Sequence, residues 1–204
     1  MFNKPIFITG IGTGIGKTIV SAVLVEKLKA DYWKPVQSGD LDCSDTDRVK
    51  SLVSNTTSFF HPEAYRLSQP FSPHKSAAID GITIDPQKIT LPVTSNTLII
   101  EGAGGLMVPL NDKFLMIDLI RQLDAEVILV SQNYLGSINH TLLSIYVLKQ
   151  ERIPIKGIIF NGVDDVCSKE FILGNSGLHL LGHIPQFDAI DKKAVIDAGG
   201  YIGV

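Results

Sequence analysis

The stretch from Ile6 to Leu28 constrains this chain more than any other part of it. Ile6-Phe7-Ile8-Thr9 is a short apolar run, Gly10-Ile11-Gly12-Thr13-Gly14-Ile15-Gly16 is a glycine-rich turn, and from Lys17 onward Val20, Val23, Leu24 and Leu28 recur at helical spacing. A strand that turns through glycines straight into a helix places the helix N-terminus at the carboxyl end of the strand, the geometry of open α/β sheets. The glycines let successive backbone N–H groups point inward around an anion. The start of the helix adds partial positive charge. Lys17 supplies a full positive charge for β and γ phosphates, and the Thr18 hydroxyl can ligate Mg²⁺. Together these are the parts of a loop that cradles ATP or a similar nucleotide. Five residues separate Gly10 from Gly16, one more than in the common form of such loops.

The rest of the chain repeats the strand-then-helix pattern. Apolar runs at Ile6–Thr9, Tyr32–Val36, Thr97–Ile100, Val127–Ser131, Gly157–Phe160 and His179–Ile184 are rich in Ile, Val, Leu and Phe. Such runs predict strands buried on both faces of a parallel sheet. Helices are expected at Lys17–Lys29, Asp45–Ser54, Met116–Leu123, Ile138–Gln150 and Ser168–Leu173. The expected fold is a doubly wound, mostly parallel α/β sheet with helices on both faces, of the P-loop NTPase kind, in one domain over residues 1–204. Thr56 to Ser95, with Pro62, Pro70, Pro73, Pro86 and Pro92, reads as an ordered excursion from the sheet, because it also holds Phe59, Phe60, Tyr65 and Phe71.

Composition removes several function classes. The formal net charge is −3 and charged residues make up 19% of the chain, so no polybasic surface for nucleic acid or anionic lipid is expected, and any bound anion needs a local site. No apolar run approaches a membrane span, and Met1-Phe2-Asn3-Lys4-Pro5 lacks the long apolar region and small-residue cleavage site of a signal. Cys43 and Cys167 are far apart, with no metal-ligand spacing, as expected of free thiols in a reducing cytoplasm.

Three further segments carry chemistry. Leu98-Ile99-Ile100-Glu101 ends an apolar run in a carboxylate and is followed by Gly102-Ala103-Gly104-Gly105, small enough to let a ligand approach it. In Cys43-Ser44-Asp45-Thr46-Asp47-Arg48, helix capping and metal binding are equally good readings of the aspartates. Trp33-Lys34-Pro35-Val36-Gln37-Ser38-Gly39 brings a second lysine to the ligand edge of the sheet, and two lysines at one phosphate site suggest phosphoryl transfer. Phe71-Ser72-Pro73-His74 is a further unusual turn, in which His74 by itself reads as an ordinary surface or capping histidine rather than a catalyst.

In their order and spacing, the Gly10–Thr18 loop with Thr13, Trp33–Gly39, Ser72-Pro73-His74, Glu101 to Leu110, Leu135-Gly136-Ser137-Ile138-Asn139-His140, Asn161 and Gly182-His183-Ile184-Pro185 resemble the dethiobiotin synthase family, from residue 6 to about 187. The resemblance implies ATP-dependent closure of the ureido ring of dethiobiotin from 7,8-diaminopelargonic acid and CO₂ or bicarbonate, through a carbamate and a carbamic–phosphoric anhydride, by a homodimer. It implies Lys34, Lys17 and Thr13 as catalytic residues. It implies nucleotide contacts from Gly12, Thr13, Gly14, Ile15, Gly16, Lys17, Thr18, Ile19, Asp45, Glu101, Gly102, Ala103 and Gly104. The adenine site would comprise Asn161, Ile184, Pro185 and Gln186. Thr18, Asp45 and Glu101 resemble Mg²⁺ ligands. Substrate contacts are implied for Ser38, Lys34 and Gly104, and for Leu135, Gly136, Ser137, Ile138 and Asn139 across the dimer interface, with Phe171 closing over the partner's substrate. Gly14 stands where the family often has glutamate. A related amidase of cobyric or cobyrinic acid would need a fused glutamine-hydrolysing domain, for which 204 residues leave no room. A partition-type ATPase switch would carry a second lysine early in the loop, and this loop has none.

Overall fold

The first strand, β1 (Ile6–Gly10), is buried at every position, and its side chains alternate between two cores. Ile6 and Ile8 pack with the apolar face of α1 (Lys17–Leu28), while Phe7 packs on the opposite side of the sheet. The computed structural model describes residues 4–204; Met1–Asn3, which belong to the stretch read above for a signal, lie outside the described residues. Helix α1 stops where Lys29 takes a left-handed conformation, φ 54°, and its N–H donates to Val25.

The apolar run Tyr32–Val36 is not one strand. It divides into β2 (Asp31–Trp33) and β3 (Val36–Ser38), which enter different sheets. Lys34-Pro35 lies at the break, since Pro35 has no N–H to continue a ladder. Helix α2 (Asp45–Leu52) follows, held at its start by reciprocal hydrogen bonds between Ser44 and Asp47. The proline-rich excursion supplies β4 (Phe60–His61), β5 (Tyr65–Leu67), α3 (Pro73–Ile79) and one turn of 3₁₀ helix at Pro86–Lys88. Beyond it come β6 (Leu98–Gly105), α4 (Met116–Gln122), β7 (Glu126–Gln132), α5 (Ser137–Gln150), β8 (Ile155–Asn161), α6 (Val166–Ser176), β9 (Leu180–Ile184) and α7 (Lys192–Gly199). Helix α7 was not expected from the sequence; it packs on α1 through Val195 and Ala198.

Seven strands form one sheet in the order β4-β2-β6-β1-β7-β8-β9, and β3 pairs with β5 in a small second sheet. Each strand pairing is parallel. Helices cover both faces. One core joins Val20, Leu24, Val49 and Val195 to the sheet, and another joins Met116, Leu119, Ile120 and Leu148. Because the strands run the same way, the ends of β1, β2 and β6 converge on one edge, where the polar residues gather.

Candidate active site

The loop after β1 folds as its sequence requires. Gly16 caps α1 in a left-handed conformation, φ 90°, and a Cβ there would lie 2.1 Å from Asn161 Nδ2. Only glycine fits both conditions. Asn161, at the end of β8, donates through Nδ2 to the Ile15 carbonyl at 3.1 Å, which ties the loop to the neighbouring strand end. Ile15 itself is buried in the core, so only its backbone faces the loop. Lys17 is 7% exposed and reaches back to donate to the Gly12 carbonyl at 2.8 Å. Burial lowers its pKa from 10.5 to about 8, against the pull of Glu101. An anion held in the loop would favour its charged form.

A compact cluster faces this loop. β2 and β6 are in register, with Trp33 opposite Ile100, and one step further Lys34 meets Glu101. Lys34 Nζ donates to Glu101 Oε1 at 3.1 Å and to Asp45 Oδ2. Thr18 Oγ1 lies 3.0 Å from Glu101 Oε1 and 3.2 Å from Asp45 Oδ1. The Tyr32 hydroxyl donates to Glu101 Oε2 at 3.0 Å. Glu101 is 1% exposed and Lys34 4%. A lysine that merely snorkels to solvent would not be so enclosed.

Burial by itself would push Lys34 down, but Glu101 and Asp45 outweigh it and hold its pKa above the usual lysine value. Burial likewise opposes ionisation of Asp45, and Lys34 with the Thr18 hydroxyl overrides it, so the carboxyl stays below its usual range. The Tyr32 phenol, buried beside Glu101, is raised well above 10 and serves only as a donor.

The donor set fits a hard divalent cation. Thr18 has one hydroxyl proton to offer two carboxylates, and Thr18, Asp45 and Glu101 present only oxygens, as Mg²⁺ prefers, with the Lys34 ammonium on the same carboxylates. Among the described residues no three His, Cys, Asp or Glu side chains are grouped as a metal site. A cation at Thr18, Asp45 and Glu101 therefore depends on phosphate and water to complete its shell, which is usual for Mg²⁺. The two aspartates separate cleanly: Asp47 accepts from Ser44 in the helix cap, and Asp45 turns to Thr18 and Lys34.

These groups line one side of a cavity of about 870 Å³. Thr13, Gly14, Gly16, Lys17, Thr18 and Ile19 line it from the glycine-rich loop and the start of α1. Lys34, Gln37, Ser38, Pro70–Pro73, Ala103, Gly104 and Val108 also line it. The Ser38 hydroxyl is buried there with no hydrogen-bond partner, an orphaned polar group that a ligand would satisfy. Gly102 does not line the cavity; a Cβ on it would lie 2.7 Å from the Phe7 ring, so its place is in strand packing. Asn161 and Ile184 are paired across β8 and β9, beside the loop. Leu135 to Asn139, at the start of α5, are absent from this cavity's walls, and so is Phe171, which is exposed on α6.

Sequence reasoning missed Tyr32 and Gln37. Gln37 Oε1 accepts from the Asp45 N–H at 3.3 Å and its Nε2 donates to the Gly39 carbonyl. Tyr32 sits in an apolar run and Glu101 is 69 residues away in sequence, so nothing local signals the pair. Arg48 also lines the cavity.

A parallel sheet whose first strand enters a helix through such a loop, with an acidic strand end beside it, defines a P-loop nucleotide-binding protein. A family model described as an AAA domain matches residues 4–194, and the chain belongs to that family. Solved structures of the same architecture include the septum site-determining protein MinD complexed with Mg-ADP from Pyrococcus horikoshii (TM-score 0.61, 17% identity, 96% of this chain and 86% of that one). A ParA family ATPase from Chlorobium tepidum is similar too (TM-score 0.59, 15% identity, 98% and 99%). At such identities the likeness concerns the fold. Relatives by sequence are more specific. The ATP-dependent dethiobiotin synthetase of Christiangramia forsetii is 52% identical over 94% of this chain and 92% of its own length. That of Cytophaga hutchinsonii is 51% identical over 94% and 93%. The chain belongs to the ATP-dependent dethiobiotin synthetase family and is an ATP-dependent enzyme of that kind.

Proposed function

We propose that this chain, acting as a single catalytic domain, joins 7,8-diaminopelargonic acid and CO₂ at the expense of ATP, giving dethiobiotin, ADP and phosphate. The observation that carries the reading is the Lys34–Glu101–Asp45–Thr18 cluster facing Lys17 across one cavity. One amine of the substrate captures CO₂ as a carbamate. The carbamate oxygen attacks the γ-phosphate, and the second amine then displaces phosphate from the mixed anhydride. Carbamate and γ-phosphate are both anions, so the demand on the protein is to neutralise their repulsion and hold them in line. Lys34, which keeps its charge despite burial, is placed to stabilise the transferring group. Lys17 and Thr13 hold the phosphates from the loop. Mg²⁺ held by Thr18, Asp45 and Glu101 would supply further positive charge at the phosphates.

Ser38, with its unpartnered hydroxyl, and Gly104 are the substrate contacts within one chain. Those expected from Leu135 to Asn139 lie outside that chain's cavity. This supports a homodimer in which the start of α5, backbone amides included, serves the partner's substrate carboxylate. Leu143 and Tyr146 are exposed along α5, and Met107 shares a groove with Tyr146, an apolar surface suited to such a contact. Asn161, Ile184, Pro185 and Gln186 form the adenine site, fixed to the loop through Ile15. No helix among the described residues is long and apolar enough to cross a membrane, and a cytoplasmic location suits the exposed free thiols Cys43 and Cys167.

The deciding experiment is mass-spectrometric detection of the cyclised product from the diamine acid, bicarbonate and Mg-ATP. ADP release is expected to require both the diamine acid and bicarbonate. ATP hydrolysis at the same rate without them would overturn the reading.

A further inference from the structure

Ring closure must shed a proton, because the attacking amine loses an N–H as its new N–C bond forms. The charged groups already assigned are poor acceptors. Lys17 is engaged with the Gly12 carbonyl, Lys34 keeps its proton between two carboxylates, and Asp45 and Glu101 are turned toward Thr18 and Lys34. Ser72 lines the same cavity, together with Ser38 and Pro70. Its Oγ is 3.1 Å from His74 Nδ1.

Ser72 stands immediately before α3, where a serine hydroxyl ordinarily accepts a hydrogen bond from the backbone of the first turn. It makes no such bond; the hydroxyl is directed to the imidazole instead. The His74 N–H donates to the Pro109 carbonyl at 3.2 Å, which anchors the residue to the segment following β6. Ser72 lines the cavity and His74 does not, so the ring sits behind the hydroxyl, as a base sits behind a relay. The orphaned Ser38 hydroxyl nearby is a separate mark that this end of the cavity receives a polar ligand.

We propose that Ser72 contacts the ring-closing amine and that His74 takes its proton through the Ser72 hydroxyl. This rests on the ring-closing reading given above. As the amine nitrogen bonds to the anhydride carbon, the carbon–oxygen bond to the phosphoryl group breaks and phosphate leaves with the electron pair. The nitrogen gives one proton to Ser72 Oγ, whose own proton passes to Nδ1 of a His74 that carries hydrogen on Nε2. The imidazolium later returns the proton to solvent. On α3, Lys75 lies over the Phe71 ring and Asp80 is bound to Ser68. On β5, Arg66 is paired with Glu63, and Tyr65 contacts Asp85. β3 and Leu106–Leu110 bring none. Lys17, Lys34, Asp40, Asp45, Arg48 and Glu101 line the same cavity as Ser72.

The test follows ADP and dethiobiotin separately, across pH, in wild type, His74→Asn, His74→Ala and Ser72→Ala. Asparagine can keep the hydrogen bond to Ser72 and cannot accept the proton. In His74→Asn, dethiobiotin formation is expected to fall roughly 10²-fold, with ADP formation falling less, so that more than one ADP appears per ring closed. The acid limb of the wild-type profile should disappear, and added imidazole should restore part of the His74→Ala rate. Unchanged kcat and coupling would overturn the proposal and leave the departing phosphate as its own base. So would a proportional loss of both products with a lower Tm, which marks a purely structural role. Wild type that forms no dethiobiotin at all would instead overturn the function on which the proposal rests.

Discussion

Lys34 illustrates how one side chain acquires its role from its surroundings. In isolation it is a lysine after a short apolar run. In the structure it neutralises the buried Glu101 and the half-buried Asp45, and breaking the first pairing leaves charge buried without a partner. Lys34→Gln is expected to lower kcat by about 10²- to 10³-fold while nucleotide affinity changes by only a few-fold, measured by steady-state kinetics and calorimetric titration. Collapse of nucleotide binding, with ring closure surviving in saturating ATP, would refute its assigned role. Gly16 is the matching case for the backbone. Gly16→Ala places a Cβ against Asn161 at a φ of 90°, a strain of about 1–3 kcal/mol. Lower Tm together with weakened nucleotide binding is the expected result.

At the scale of elements, the joint between α1 and the end of α2 is held by one carboxylate. Glu26, on α1, accepts from the Ser54 N–H at 2.6 Å and the Asn55 N–H at 3.0 Å, and Lys29 donates to its other oxygen. Burial opposes its ionisation, but these amides outweigh it and hold its pKa at about 2, below 4.5. A carboxyl with a depressed folded pKa contributes its full stability above the unfolded value and loses it as pH falls from about 4.5 toward 2. Glu26→Gln is therefore expected to cost about 1–2 kcal/mol at pH 7, with the gap to wild type closing near the acid end of that window. Urea unfolding at several pH values checks this, and a gap that does not narrow in acid would show that ionisation plays no part. The split of Tyr32–Val36 into two strands belongs to this scale as well. It turns Lys34 into the end of a strand and not its interior, which is why the side chain can reach Glu101.

For the whole molecule, the edge on which the strands end determines what can meet, and the proposed dimer would use the outer face of α5. Tyr146 is 62% exposed and Leu143 54%, large apolar side chains on one side of a helix whose start is implied in a neighbour's substrate site. Tyr146→Asp is expected to shift the chain from dimer to monomer in sedimentation equilibrium, and to make specific activity depend steeply on protein concentration. A wild-type chain that stays monomeric while fully active would rule out the shared site.

The sequence by itself determined the strand–loop–helix start, the alternation that follows, the parallel sheet and the nature of the phosphate loop. Each depends on short-range chemistry: glycine's freedom, apolar period and the dipole of a helix start. It also brought Lys34 and Glu101 under suspicion, because polar residues that end apolar runs are conspicuous, and it singled out Asp45 with Asp47 as helix cap or metal ligand. It could not choose between Asp45 and Asp47, and only the Ser44–Asp47 cap, which uses up one of them, settles which carboxylate faces Thr18. Nor could it foresee helix α7 or the break at Lys34-Pro35. The bonds from Tyr32 to Glu101 and from Asn161 to Ile15 join residues 69 and 146 positions apart. Their partners are set by which strands lie side by side, and that order is a property of the folded sheet.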